Sequence, residues 1–259
     1  MELLAGMSLE KWVGFLLVVL RAGALMVALP FFGSRAIPWL VRAGLTLALA
    51  LVMYPLAVRQ GFSPATNLWA LGVAGAREVL VGATMGISVR LVLTGVQIMG
   101  QLVGFQMGFA VANVFDPVSG AQISVVAQFA YLTGLLVFLA LGGYRQFFLA
   151  MAESMRLVPV GTAVVSGTMV GEVMRLAAGM FSIALRIGAP VIGALLFTQV
   201  AMGILAKTVP QMNILIVGFP LTITIGLIFL ALTLGAMVPV LGAYFSDMSG
   251  VLIRLIRGM

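Results

Sequence analysis

Histidine and cysteine are both absent from the 259 residues, and only 8% of the residues are charged. Without histidine, neither a Ser–His nor a Cys–His nucleophile can be assembled. Without cysteine there is no disulfide and no thiolate-bound metal, although a lack of cysteine fixes no redox compartment. A metal site would have to be built from oxygen alone, and the seven acidic residues are scattered. Asp116 and Asp247 are the only aspartates. A paired-aspartate protease would need both, and neither stands in a Gly-x-Gly-Asp setting. Asp116 precedes Pro117, a turn-forming arrangement. The sequence therefore reads as a non-enzyme with no cofactor.

The scarcity of charge has a second consequence. A soluble domain carries about 25% charged residues, whereas here 63% of the residues are hydrophobic. So much apolar surface must face lipid or other apolar protein, so the chain is expected to be a membrane protein. The 14 Lys+Arg against 7 Asp+Glu give a net charge of +7. The basic residues come singly, at Arg21, Arg35, Arg42, Arg59, Arg77 and Arg90. A nucleic-acid binder would gather them into a patch, so no nucleic-acid partner is expected.

The hydrophobic segments are Trp12–Phe32, Ala36–Val58, Leu68–Ala112, Ile123–Gly143, Met174–Gly203 and Met212–Phe245. A spanning helix needs about 20 apolar residues. The pattern predicts an all-α polytopic fold of broken, hairpin-forming helices in one domain covering 1–259. Trp12–Phe32 contains Arg21 and lacks a cleavage signal, so it reads as a retained helix. Gly33-Ser34-Arg35 reads as a tight turn to the second helix, which is expected to end near Arg59-Gln60-Gly61. Leu68–Ala112 is too long for one span and is either two helices or one that leaves the lipid. Thr208–Ser246 is uncharged and is expected to make two passes, broken near Pro220 or Gly235. Arg21, Arg42, Arg77, Glu78, Arg90, Arg175 and Arg186 interrupt apolar runs. A charge at the bilayer centre costs at least about 2.5–3.5 kcal/mol, so each must pair, line a wet cavity or lie outside the hydrocarbon. A chain packed against protein partners and a transporter with its own internal pairs both satisfy this. Glu153/Arg156 and Glu172/Arg175 are three residues apart and share a helix face.

Two stretches stand out. At 100° per residue, Gln97, Gly100, Gln101, Gly104 and Gly108 fall within an arc of about 100°. A smooth, polar ridge of this kind admits another backbone, either within the chain or from a neighbouring subunit. Next comes Phe109-Ala-Val-Ala-Asn113-Val-Phe115-Asp116-Pro117-Val-Ser119-Gly120-Ala-Gln122. It mixes helix-breaking residues with aromatics between apolar helices. It reads as a re-entrant loop or channel plug, or else as an external turn.

Gly104-Phe-Gln106-Met107-Gly108 followed by Phe115-Asp116-Pro117-Val-Ser119-Gly120 resembles the FliR family, whose injectisome relatives are the SctT proteins. A second resembling block runs Gly203-Ile-Leu-Ala-Lys207-Thr-Val-Pro210-Gln211-Met-Asn213-Ile-Leu-Ile-Val-Gly218-Phe219-Pro220. Lys207 stands where the family is expected to carry arginine, which keeps the charge but loses the bidentate fork. The Gly-Phe-Pro ending resembles the flagellar branch more than the injectisome one. The resemblance implies one subunit of a helical type III protein-export gate in the bacterial inner membrane, within the flagellar basal body. It implies one such copy beside FliP-like and FliQ-like subunits, near FlhB-like and FlhA-like export proteins. The assembled core is expected to project towards the periplasm and to pass unfolded protein substrates. The segment matching Phe109–Gln122 is implied to be the plug, with the adaptable Met107 beside it. The different-class alternative, a secondary transporter, would carry an inverted repeat, and none is visible. Arg254 and Arg257 after the last apolar segment point to a cytoplasmic C-terminus.

Overall fold

The computed structural model describes residues 9–33, 37–59, 67–109, 124–211 and 213–259. Among these residues the chain forms seven α-helices and no strands. They are α1 (Leu9–Ala28), α2 (Trp39–Arg59), α3 (Leu68–Gln106), α4 (Val125–Ala140), α5 (Gly143–Leu157), α6 (Gly167–Thr208) and α7 (Ile214–Arg257). Five of them (α1, α2, α3, α6 and α7) are long and apolar enough to cross a membrane, and the bent pair α4–α5 makes a sixth candidate.

Local chemistry sets several boundaries. Asn67 accepts the Ala70 amide at 2.7 Å and caps α3, and Ser124 caps α4 by accepting the Val126 amide at 3.2 Å. Gly142, at φ 68° and ψ 25°, stands between α4 and α5. That left-handed conformation suits glycine, which has no Cβ to clash. Helix α5 was not among the apolar segments read from sequence. It is amphipathic: Phe147, Ala150, Met151, Ser154 and Met155 are buried at helical spacing, while Arg145 and Arg156 face outwards.

The structure decides one open alternative and corrects one expectation. Leu68–Gln106 is one helix of 39 residues, about 58 Å at 1.5 Å per residue. The expected break near Pro220 or Gly235 does not occur, because α7 runs for 44 residues through Pro220 and Pro239. Pro55 and Pro190 likewise lie inside α2 and α6. A proline deletes one ladder bond, and in apolar surroundings the helix retains its other bonds because nothing else can satisfy them. Thr222 Oγ1 and Thr224 Oγ1 donate to the carbonyls of Gly218 (3.0 Å) and Pro220 (2.7 Å) around one such site.

The chain divides into two compact units: residues 1–91, 142–177 and 245–259, and residues 92–141 and 178–244. In the first unit α1 and α2 pack as a hairpin, and α2 also packs on α5. Gly82 and Gly86 of α3 lie directly against Ala24 and Ala28 of α1, a small-residue contact that brings the two backbones together. Leu25, Phe147, Met151, Phe245 and Leu252 fill the core. In the second unit the core is built from Met99, Val103, Ala127, Phe138, Ile187, Leu195, Met237 and Leu241. Outside these cores the apolar side chains stand bare, as at Leu68, Trp69, Trp39 and Phe197, which are 73–86% exposed. Surface of this kind is built for lipid or for protein partners.

Candidate functional site

The charges within the apolar helices find partners in the first unit. Arg21 and Glu78 are fully buried and joined: Nε reaches Oε2 at 2.5 Å and Nη2 reaches Oε1 at 3.0 Å. Arg21 also donates to the carbonyls of Ser154 (3.0 Å) and Val158 (3.2 Å). The Gly161 amide donates to Glu78 at 2.7 Å, and Arg77 donates to the Gly161 carbonyl at 3.3 Å. Helices α1, α3 and α5 and the turn after α5 are thus tied through one satisfied polar cluster. Elsewhere in this unit Arg90 donates to the Val27 carbonyl at 2.7 Å, and Arg42 to the Ile37 carbonyl at 3.2 Å. The Glu172–Arg175 pair forms at 3.0 Å, and Arg254 reaches the same carboxylate at 3.5 Å. Glu153–Arg156 forms at 3.6 Å on the surface.

The glycine ridge lies in the second unit. A Cβ on Gly100 would stand 2.6 Å from Ala127 Cα and 2.9 Å from the Val126 carbonyl oxygen. A Cβ on Gly104 would collide with the Ser124 hydroxyl. The close approach at these two positions is to the first turn of α4 in the same chain. Gln97 and Gln101, beside them on α3, are half-buried.

Gly108 departs from the helical face on which the 100° spacing placed it. Helix α3 stops at Gln106, and Gly108 takes φ 92°. The Gly108 amide donates to the Phe105 carbonyl and the Phe109 amide to the Gly104 carbonyl, both at 3.1 Å. This paired reverse bonding is a Schellman ending, with Gly108 as the left-handed residue. A helix period carries no signal for where the last turn closes, so spacing alone places Gly108 on the helix.

The two motif blocks meet here. The ring of Phe219 lies where a side chain on Gly108 would point, 2.6 Å from its ideal Cβ. Met107 is fully buried; its carbonyl lies 3.3 Å from Thr222 Oγ1, whose single proton it shares with the Gly218 carbonyl, and its side chain fills the space beside Gly226. The Gln106 carbonyl accepts from Gln199 Nε2 at 3.3 Å. Gln106 Oε1 is buried with no partner among the described residues. Around these contacts lies a groove of about 360 Å³. Gln106, Gly108, Gly218, Phe219 and Thr222 line one part of it, and Gln199, Met202, Gly203 and Ala206 the other. Three glycines in the lining keep the walls low, and the amides of Gln106 and Gln199 with the Thr222 hydroxyl are its polar groups. Gln199, Met202 and Thr222 were not singled out from sequence, although Gln199 is the only amide within α6.

Lys207 lies in the last turn of α6, where a cation complements the exposed carbonyl ends. Pro210 and Gln211 follow it as exposed turn residues. Asn213 precedes α7 and accepts the Ile216 amide at 3.4 Å. Pro220 is an exposed residue within α7. Phe109 is half-buried at the end of the Schellman turn. Asn113, Phe115, Asp116, Pro117, Ser119, Gly120 and Gln122 lie outside the described residues.

Comparison with known proteins gives a consistent set of likenesses. The family model described as bacterial export proteins, family 1, matches residues 12–248. The chain is 31% identical over 244 residues to the flagellar biosynthetic protein FliR of Bacillus subtilis, covering 92% of each chain. It is 31% identical over 245 residues to the protein of that name from Pectobacterium carotovorum, covering 93% of this chain and 92% of the relative. To the Escherichia coli protein of that name it is 26% identical over 251 residues, covering 95% of each.

Proposed function

The chain belongs to the bacterial export proteins, family 1, and from that membership we propose that it is the FliR-type subunit of the flagellar type III protein-export gate. In the inner membrane it forms part of the channel through which unfolded flagellar proteins leave the cell. The structural observation that supports this best is the convergence of the two motif blocks. Gly104–Gly108 and Gly203–Phe219 are about 100 residues apart, yet they build one site around Gly108, Phe219 and the groove. The site offers packing surfaces and amides, the equipment of an assembly element.

On this reading one copy sits beside FliP-like and FliQ-like subunits, with FlhB-like and FlhA-like proteins adjoining. The long, poorly covered faces of α6 and α7 then meet protein as well as lipid, and the core projects towards the periplasm with the C-terminus in the cytoplasm. Gln97, Gln101 and the exposed Leu102 and Phe105 at the end of α3 form a subunit-packing surface. The segment Phe109–Gln122 is the plug: apolar side chains on a helix-breaking stretch make a dry stopper that opens by rewetting. Deleting the gene tests the central reading. Flagellar assembly and swimming should be lost while growth continues; normal external filaments in the deletion strain would sink it.

A further inference from the structure

Arg186 sits inside α6 on a run of 31 residues, Leu176–Ala206, that holds no other charge. It is exposed, among exposed Phe181, Leu185, Ala189 and Pro190. The other cations inside the apolar helices behave differently. Arg21 meets Glu78, Arg77 meets the Gly161 carbonyl, and Arg90 meets the Val27 carbonyl. Arg186 makes no hydrogen bond or ion pair among the described residues. Among the described residues its own unit offers no acidic side chain. Residues 92–141 and 178–244 contain one acidic residue, Asp116, which lies outside the described residues.

An unpaired arginine on an apolar helix is costly in hydrocarbon and marks a partner or a pathway. Two neighbours indicate which. Gly179 and Gly193 stand seven residues before and after Arg186 (186 − 7 and 186 + 7), which puts all three within about 20° of one line on the helix. Nothing lies within 4 Å of where a Cβ would stand on either glycine. A seven-residue seam of small residues admits a second helix at close range; a lipid tail gains nothing from it. We propose that Arg186 binds a carboxylate carried by an apolar helix of an adjoining gate subunit, and so fixes the register in which that helix docks on α6. This rests on the export-gate reading above. Guanidinium and carboxylate pair through two parallel N–H···O bonds, and the docked helix removes both charges from the hydrocarbon at once.

The test uses the full chain co-expressed with its gate subunits. Arg186→Leu and Arg186→Glu should each lower the recovered complex by roughly tenfold or more, with Arg186→Lys between them and wild type. The Arg186→Leu chain purified alone should melt like wild type, since Arg186 makes no hydrogen bond or ion pair among the described residues. Selection for swimming in the Arg186→Glu strain should return an acidic-to-basic change in an apolar helix of another subunit. Four results would overturn the proposal. They are wild-type assembly of Arg186→Leu, a lowered melt of that chain alone, rescue by a change at Asp116, and loss of bound anionic phospholipid with all subunits retained. A wild-type chain that co-purifies with no gate subunit would overturn the export-gate reading itself, and this proposal with it.

Discussion

Arg21 and Glu78 are 57 residues apart in sequence, and Nε lies 2.5 Å from Oε2 in a site where neither side chain is exposed. The pair is one part of a larger closure. Glu78 also accepts the Gly161 amide, and Arg21 also donates to the last turn of α5 and to Val158. Removing either charge leaves the other buried and uncompensated. Glu78→Gln or Arg21→Met should each destabilise the chain by about 3–5 kcal/mol, read as a lower melting point in detergent and less protein in the membrane fraction. Replacing both by methionine should be less damaging than the sum, because no lone charge remains. Purely additive losses would contradict this account of the pair.

Gly108 and Phe219 should be energetically coupled. Gly108→Ala puts a Cβ at φ 92° and against the Phe219 ring. The backbone part alone should cost roughly 1–2 kcal/mol. Phe219→Leu in the same chain should recover the steric part and leave the conformational part. A double-mutant cycle on thermal stability checks this; a coupling energy indistinguishable from zero would separate the two motif blocks.

The ridge on α3 should be sensitive to added size at Gly104, while Ile98 should accept a change of shape at constant volume. Gly104→Leu would drive the start of α4 away from α3, because Ser124 already occupies that space. Recovery of complex with FliP-like subunits should fall sharply, and the isolated chain should also lose stability. Ile98→Leu, at a half-buried position with volume conserved, should cost less than about 1.5 kcal/mol. Gly104→Leu complexes of full size and normal melting point would remove the ridge from both roles.

Deleting residues 110–122 should leave assembly intact, since the packing contacts of Gly100, Gly104, Met107 and Gly108 lie on α3 and the turn that ends it, before the deleted stretch. Leakage of ions and small solutes across the inner membrane should rise, measured as conductance or solute sensitivity in cells carrying the partner subunits. Asp116→Asn should be far milder, because an aspartate before proline is a sequence signal for a turn that asparagine supports equally. A deletion complex as tight as wild type would refute the plug, and loss of all export in a correctly assembled Asp116→Asn complex would reopen a proton-linked role.

Hydropathy by itself determined that this is an all-α membrane chain, because 63% apolar composition leaves no other stable solvent for the surface. A local signal also carried through: α2 ends at Arg59, where the second helix was expected to end. The two motif blocks were legible as blocks, since each is contiguous. What tertiary structure decided is every relation between faces. Arg21 and Glu78 were both flagged as charges in need of partners, but their pairing depends on which side of α3 meets α1. The glycines at 100 and 104 promised a close neighbour, but only the packing of α4 identified it as Ala127 and Ser124. Pro220 and Pro239 looked like breaks because a proline's lost hydrogen bond is a local property. Whether the helix continues depends on the surrounding polar groups and apolar contacts, which are assembled from distant parts of the chain.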